Sequence, residues 1–558
     1  MRVAELVGRV LAAHGVRHVF GVVGSGNFHV TNALVAAGAR FYPAAHEGGA
    51  ACMADGFART AGTVAVLSVH QGPGVTNALT GVTEAAKSHT PLLVLAPEAT
   101  APGSNFHIDL AAVSAAVGAR FHRVRAERAA EDAADAFHAA AAGATVVLGL
   151  PLDVQEAPAP PWNGPPPGTA TDATGGPTSG PAGTASGSDG AIDGLDALVA
   201  AVRAARRPVF VAGRGARAAR EPLRRLAARC GALLAVSAGA KGLFAGDPWN
   251  LDVAGGFATP LAASLIPEAD LVVAWGSSLN MWTTRHGELI PPGVPVAHVD
   301  RDPAAFGRNR PVEIAVLGDV TAVAEAVAAR LAGEPDRTGW RTPELGRRVR
   351  ERGRWRDEPY PDGSDPDAGR LDPRTLSIAL DDLLPAERTV VVDSGNFMGY
   401  PSMFLSVPDA AGFCLTQAFQ SVGLGLASAL GAAVARPDRL TVAALGDGGF
   451  LMSSAELVTA VRLGLPLVVV VYDDAAYGAE VHHFGPDGHP LETVTFPETD
   501  LAAIARGHGC AGLTVRRLDD LDGVRDWLAG PRTRPLVLDA KVATERASWW
   551  LEHAFRGH

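Results

Sequence analysis

Two rhythms of apolar residues run along this chain. Short, largely unbroken apolar runs (His18 to Val23, Thr63 to Val69, Pro91 to Ala96, Ala144 to Leu150) alternate with longer stretches where apolar positions recur at helical spacing. A continuous apolar run predicts a strand covered on both faces, and strands alternating with helices predict a parallel sheet. The pattern returns in Pro208 to Gly213, Leu233 to Val236, Leu271 to Gly276 and Pro295 to Asp300. It returns again in Arg388 to Asp393, Val442 to Leu445, Leu467 to Tyr472 and Pro535 to Lys541. The expected fold class is therefore α/β, with three doubly wound parallel-sheet domains.

Between these blocks the composition changes. Residues 158–190 are almost wholly Pro, Gly, Ala, Ser and Thr, which cannot bury a core, and read as a flexible linker. Residues 334–370 are charged and Pro-rich and read as a second connector. The expected domains are thus 1–157, 191–333 and 371–545, followed by a tail at 546–558. Trp549 and Trp550 in that tail read as exposed, suited to docking on a neighbour or capping a site.

Bulk numbers narrow the function classes. A net charge of −11 over 558 residues, with no basic cluster, argues against nucleic acid as a partner. Cys52, Cys230, Cys414 and Cys510 are far apart and form no CxxC, so neither a zinc site nor a disulfide framework is indicated. Residues 1–16 form an amphipathic helix pattern interrupted by charges, unlike a signal peptide. No stretch of 18 apolar residues exists, so no membrane partner is expected and the expected location is cytoplasmic.

The chemistry concentrates in residues 442–480. The strand Val442 to Leu445 runs into Gly446, Asp447, Gly448 and Gly449; a helical stretch, Ser453 to Leu463, follows. A second strand then ends on Asp473 and Asp474, the latter 27 residues beyond Asp447. In a parallel α/β unit both strand ends lie on the edge where ligands bind, so the two carboxylates can converge. Glycines between them leave backbone N–H groups open to an anion. Carboxylates with bare amides suit a hard divalent cation carrying a diphosphate.

A GDG followed by such a spaced pair resembles the thiamine diphosphate signature of the acetolactate synthase, benzoylformate decarboxylase and pyruvate decarboxylase superfamily, acetolactate synthase large subunits in particular. The resemblance covers essentially the whole chain, whose three blocks would be pyrimidine-binding, central and diphosphate-binding domains in that order. It implies that Asp447, Asp474 and the carbonyl of Ala476 hold Mg²⁺, and that Mg²⁺ holds the diphosphate. Gly446, Gly448, Gly449 and Tyr477 belong to the same cofactor edge. The superfamily usually has Asn where Asp474 stands; an Asp there tightens the metal but repels free diphosphate. Gly395, Asn396 and Phe397 resemble the diphosphate-contacting turn, and Gln420 to Gly425 the loop and helix under the cofactor. Val422 sits where a bulky apolar side chain folds the cofactor's two rings together, and is smaller than the usual Leu, Ile or Met.

In the first block HEGGAACMADGFAR resembles the motif of the catalytic glutamate, which makes Glu47 the residue that activates the cofactor through its aminopyrimidine ring. An acid in a first helical turn also favourably meets the positive helix end. The superfamily builds each site from the first block of one subunit and the third of another. A homodimer or homotetramer with sites at the subunit interface is therefore implied, and an inactive monomer. His70 stands where benzoylformate decarboxylase-like members carry a catalytic His and acetolactate synthases a small residue. Ser25 matches their substrate-binding Ser, and His107 the place of a site glutamine; His29 is a further candidate. Glu480 matches an acid of pyruvate and indolepyruvate decarboxylases that handles protons on the substrate side.

The central block resembles one that binds FAD in acetolactate synthases and ADP or nothing in relatives. Gly213, Arg214, Gly215, Gly255, Gly256 and the strand end Asp300 to Asp302 fall at suitable places. An FAD-bound and an empty domain both stay open. The implied function is a thiamine diphosphate- and Mg²⁺-dependent decarboxylase or carboligase acting on a 2-oxo acid, with Glu47, His70 and Glu480 as catalytic residues. The alternatives are an FAD-dependent oxidase of the pyruvate oxidase type and a non-catalytic regulatory paralogue. The whole-chain likeness leans towards acetolactate synthases and His70 with Glu480 towards simple decarboxylases; the sequence leaves that choice open.

Overall fold

A computed structural model describes residues 1–164, 192–544, 548, 550 and 551. The Pro/Gly-rich linker lies outside the described residues from 165 onwards, as do Trp549 and most of the tail.

Three six-stranded sheets, each parallel throughout, organise the chain. The first holds β1 (His18–Gly21), β2 (Arg40–Pro43), β3 (Ala65–Ser68), β4 (Leu92–Glu98), β5 (Arg120–Arg123) and β6 (Thr145–Pro151), in the order β2-β1-β3-β4-β6-β5. The second holds β7 (Pro208–Ala212), β8 (Leu233–Val236), β9 (Asn250–Val253), β10 (Leu271–Trp275), β11 (Val296–Asp300) and β12 (Ile314–Leu317), in the order β12-β11-β10-β7-β8-β9. The third holds β13 (Arg388–Val392), β14 (Phe413–Leu415), β15 (Leu440–Gly446), β16 (Leu467–Asp473), β17 (Ala511–Val515) and β18 (Leu536–Lys541), in the order β14-β13-β15-β16-β18-β17. Counted within each block, the first and third sheets have the same order. The second has the order of dinucleotide-binding folds, with its switch point between β7 and β10.

Burial explains which strands form the cores. Every residue of β4, β6, β16 and β18 is buried, so these strands are covered by helices on both faces. Each fully buried Val or Leu in them stabilises the fold by about 1.5–3 kcal/mol. The interior strands are those the apolar runs predict. The two edges of every sheet (β2 and β5, β9 and β12, β14 and β17) are not predicted, because Arg120–Arg123 carries no apolar run and the runs of Ile314–Leu317 and Phe413–Leu415 are short.

The first and third blocks pack through one helix pair, Glu47–Ala61 against Gly425–Ala435. The contact is reciprocal. A Cβ at Gly56 would run into the Ser428 carbonyl, and a Cβ at Gly431 into that of Met53. Only glycine allows two helices to approach this closely.

Three expectations change. Gly446 to Gly449 is not a loop before a helix at Ser453: Asp447 itself opens a helix, Asp447–Ser453, and a second follows at Glu456–Leu463. Within 334–370 the helix Pro343–Arg352 sends Leu345 and Val349 into the central core, since those positions recur at helical spacing among arginines. Trp550 is fully buried rather than exposed, packed edge-on against Tyr400 at 4.9 Å.

Candidate active site

Parallel pairing of β15 with β16 sets Gly446 opposite Tyr472, so Asp447 and Asp474 emerge side by side at one sheet edge. Asp447 is buried at the head of its helix. Burial, and after it the charges of Asp474 and Asp473, pushes its carboxyl up to about 8. Asp474 is pushed up to about 7, again by burial first, with the Asn396 amide opposing and the charge of Asp473 adding. Two carboxylates this crowded resist ionising together unless a cation joins them.

Glycines keep this edge bare. A Cβ at Gly448 would sit 2.6 Å from the Tyr477 ring, one at Gly446 would sit 3.2 Å from the ring of Phe397, and one at Gly478 would overlap the Asp474 carboxylate. Asn396 lies on the same edge and donates to Asp474 at 3.5 Å; its own carbonyl groups accept Ser548 Oγ at 2.9 Å and Trp550 Nε1 at 3.2 Å. Phe397 stacks on Tyr472 with ring centroids 5.5 Å apart. Ala475, the hinge of the next turn, is left-handed (φ 55°), and Asp473 Oδ1 accepts its N–H at 3.0 Å. That turn presents the Ala476 peptide beside Asp474. Among the described residues no group of three or more His, Cys, Asp or Glu is placed to hold a metal. The expected set has only two carboxylates and a peptide carbonyl, and the donors present, all oxygens with a charge demand, fit Mg²⁺.

Asp393, which the sequence marks only as part of a turn, ties this edge together. Fully buried, it accepts from Ser394 N (2.8 Å), Gly423 N (2.9 Å) and Leu424 N (3.2 Å), and so draws the Gln420 to Gly425 loop against the sheet. Burial raises its carboxyl to about 6. Gln420 is exposed with φ 60°, and Val422 is half-buried beside Gly449. Glu480 lies in the first turn of Gly478–Phe484, half-buried.

A second cluster forms at the edge of the first sheet. Glu47 opens its helix, and its Oε2 accepts from Asn77 Nδ2 at 3.0 Å. The ring of His70 accepts Gly26 N–H at 3.4 Å, beside exposed Ser25, and meets Phe106 edge-on at 5.6 Å. His107 follows Phe106, is exposed, and donates from Nδ1 to the Ala99 carbonyl at 2.8 Å. His29 instead pairs with Arg2 at 2.9 Å. Among the described residues no hydrogen bond or ion pair joins Glu47, Ser25, His70 or His107 to Asp447, Asp474, Asn396 or Glu480. The two clusters thus lie at the edges of two different sheets. Asn77, within the helix Pro73–Lys87, and Asp393 give no sequence signal of their own, because Glu47 and Gly423 lie 30 residues away.

A third feature is a cleft of about 2510 Å³ at the switch point of the second sheet, lined by Gly213, Arg214, Gly215, Gly256, Asp300 and His286 among others. Burial, and then the charges of Arg59 and Arg217, lowers the Arg214 guanidinium to about 9.

Comparison with known proteins decides the family. Models described as "Thiamine pyrophosphate enzyme, N-terminal TPP binding domain", "central domain" and "C-terminal TPP binding domain" match residues 1–108, 195–327 and 393–540. The chain belongs to the thiamine pyrophosphate enzymes. Among similar members is "Probable 2-ketoarginine decarboxylase AruI" of Pseudomonas aeruginosa, 30% identical over 553 residues, covering 94% of this chain and 90% of the relative. A "Sulfoacetaldehyde acetyltransferase" of Alcaligenes xylosoxydans xylosoxydans is 28% identical over 565 residues, covering 93% and 89%. "Acetolactate synthase, catabolic" of Raoultella terrigena is 28% identical over 538 residues, covering 93% and 91%. Members of the thiamine pyrophosphate enzymes thus resemble this chain over more than nine-tenths of its length, while the reactions they are named for differ. No described helix is long and apolar enough to cross a membrane.

Proposed function

We propose that this protein is a thiamine diphosphate- and Mg²⁺-dependent decarboxylase or carboligase of 2-oxo acids, working as a homodimer or homotetramer. The observation that carries the reading is the pair of buried Asp447 and half-buried Asp474, whose carboxyls rise to about 8 and about 7 on a glycine-lined edge. In this reading Asp447, Asp474 and the Ala476 carbonyl hold Mg²⁺. Gly446, Gly448 and Gly449 let a diphosphate approach, and Gly395, Asn396, Phe397, Gln420, Val422 and Tyr477 flank the cofactor. Thiamine diphosphate, when bound, supplies a nucleophilic carbon and an electron sink for loss of carbon dioxide.

The chain's own residues then divide the proton work. Glu47 acts from one subunit in the site whose carboxylates come from the other. Asn77 on its Oε2 orients the carboxyl and leaves Oε1 for proton exchange. His70 and Glu480 carry protons on the substrate side, and Ser25 and His107 bind the substrate. A proton delivered to the decarboxylated carbon gives an aldehyde; a second carbonyl there gives a carboligation product. The relatives' names span both outcomes, a decarboxylase and acetyl- or acetolactate-forming enzymes. The test is to incubate holoenzyme with a panel of 2-oxo acids, with and without aldehyde acceptors, and identify products by mass. No turnover of any 2-oxo acid would overturn the reading.

The central cleft favours a second reading, an FAD-dependent oxidase. A half-buried guanidinium at the switch point, Arg214, which donates to the Ser88 carbonyl and forms no ion pair among the described residues, suits a dinucleotide's phosphates. A yellow purified protein that releases peroxide from a 2-oxo acid would favour it.

A further inference from the structure

The first and third sheet edges are tied by a pair of buried acids that mirror each other. Glu456, 3% exposed, heads the helix Glu456–Leu463 in the third block. Its carboxylate reaches into the first block and accepts from Ala45 N (3.2 and 3.1 Å) and His46 N (3.1 Å), the two peptides before Glu47. Thr459 Oγ1 donates to its Oε2 at 2.7 Å and fixes its rotamer. Glu84, 1% exposed in the first block, does the reverse: it accepts from Ala418 N (3.2 Å) and Phe419 N (2.7 Å), which lead into the Gln420 to Gly425 loop.

A buried carboxylate is costly unless its oxygens are satisfied. Glu456 is satisfied by the N–H groups that lead into the Glu47–Ala61 helix, whose positive end favours its charge. Space is reserved for it: a Cβ at Gly49 would overlap the carboxylate. Glu47 is thus fixed twice, its backbone by Glu456 and its side chain by Asn77.

We propose that Glu456 is the positioning residue for Glu47, acting from the third block of the same chain; this rests on Glu47 being the cofactor-activating acid of a shared site. Because a chain's Glu47 and Asp447 serve different sites, Glu456 governs one site while standing nine residues from the metal ligand of the other.

A hybrid dimer tests this. A chain carrying E47Q paired with a differently tagged chain carrying D447A has one intact site, built from the Glu47 of the D447A chain and the Asp447 of the E47Q chain. Adding E456A to the D447A chain is expected to lower kcat about ten- to hundredfold, since displacing a catalytic group by about 1 Å costs that much. Adding E456A to the E47Q chain is expected to leave kcat within about twofold, the live Glu47 being untouched. A loss that follows the E47Q chain, or falls equally on both arrangements, would overturn the proposal. Should E456A prevent assembly, the isosteric T459V is expected to show the same chain dependence with a smaller loss, and no chain dependence would overturn it. A hybrid already inactive before any change at Glu456 would overturn the shared-site reading itself, and this proposal with it.

Discussion

The first and third blocks share a strand order and meet across a reciprocal helix contact, yet their carboxyl edges carry opposite chemistry. The third edge gathers Asp447, Asp473 and Asp474, with carboxyls at 447 and 474 driven up by burial and by neighbouring acids. The first gathers imidazoles, a serine and one half-buried acid, Glu47, held by an amide. The repeated frame therefore fixes only where loops converge. A few residues at the strand ends decide whether that place gathers carboxylates or imidazoles.

The sharpest way to break this contrast is at Glu47. Glu47→Gln is expected to lower kcat about 10²–10⁴-fold while thiamine diphosphate and Mg²⁺ still bind, as read by steady-state kinetics and calorimetry. Turnover like that of the unaltered enzyme would remove Glu47 from the chemistry.

Next comes the ion cluster behind the third edge. There Lys541, 98% buried, pairs with Asp473 and, at 3.1 Å, with Asp539. Lys541→Met strands both acids and is expected to cost about 3–5 kcal/mol in denaturant unfolding, part of it recovered by adding Asp473→Asn.

A smaller effect is pH dependence. With carboxyls at about 8 and about 7 instead of 3.8, the folded, metal-free protein keeps protons that the unfolded chain has lost. The stability this contributes is complete below about pH 4 and is lost progressively as pH rises from there to about 7 and 8. The melting temperature of metal-free protein is therefore expected to fall between about pH 4 and pH 8 and to level off above that. Mg²⁺ affinity is expected to rise by up to about tenfold per pH unit for each proton displaced. Asp474→Asn should flatten both trends; an unchanged slope would separate these acids from the metal.

The smallest effect tests the symmetry of the frame. Gly56→Ala and Gly431→Ala are each expected to cost about 1–3 kcal/mol, because each new methyl meets a rigid backbone carbonyl. Unequal costs would mean that the helix contact is not reciprocal in energy.

Much of this was legible in the chain. Interior strands announce themselves because both faces are buried, and the edges escape because one side is open and their apolar runs are short. The GDG run and the spaced Asp474 mark the carboxylate-bearing edge of the third sheet, since strand and turn chemistry are local. The glutamate clamps are not legible. Glu456 reads as any first-turn acid, and its partners Ala45 and His46 lie about 410 residues away, joined only by domain packing. Trp550 reads as exposed in a polar tail, and becomes buried because Gly399 leaves room for its indole.

The most direct test of the central claim is calorimetric titration of thiamine diphosphate into metal-free protein, with and without Mg²⁺, for the unaltered chain and for Asp447→Ala. Uptake that requires Mg²⁺ and disappears in Asp447→Ala is the expected result. Uptake without a divalent cation, or undiminished in Asp447→Ala, would contradict the assignment of the paired carboxylates as the cofactor's metal anchor.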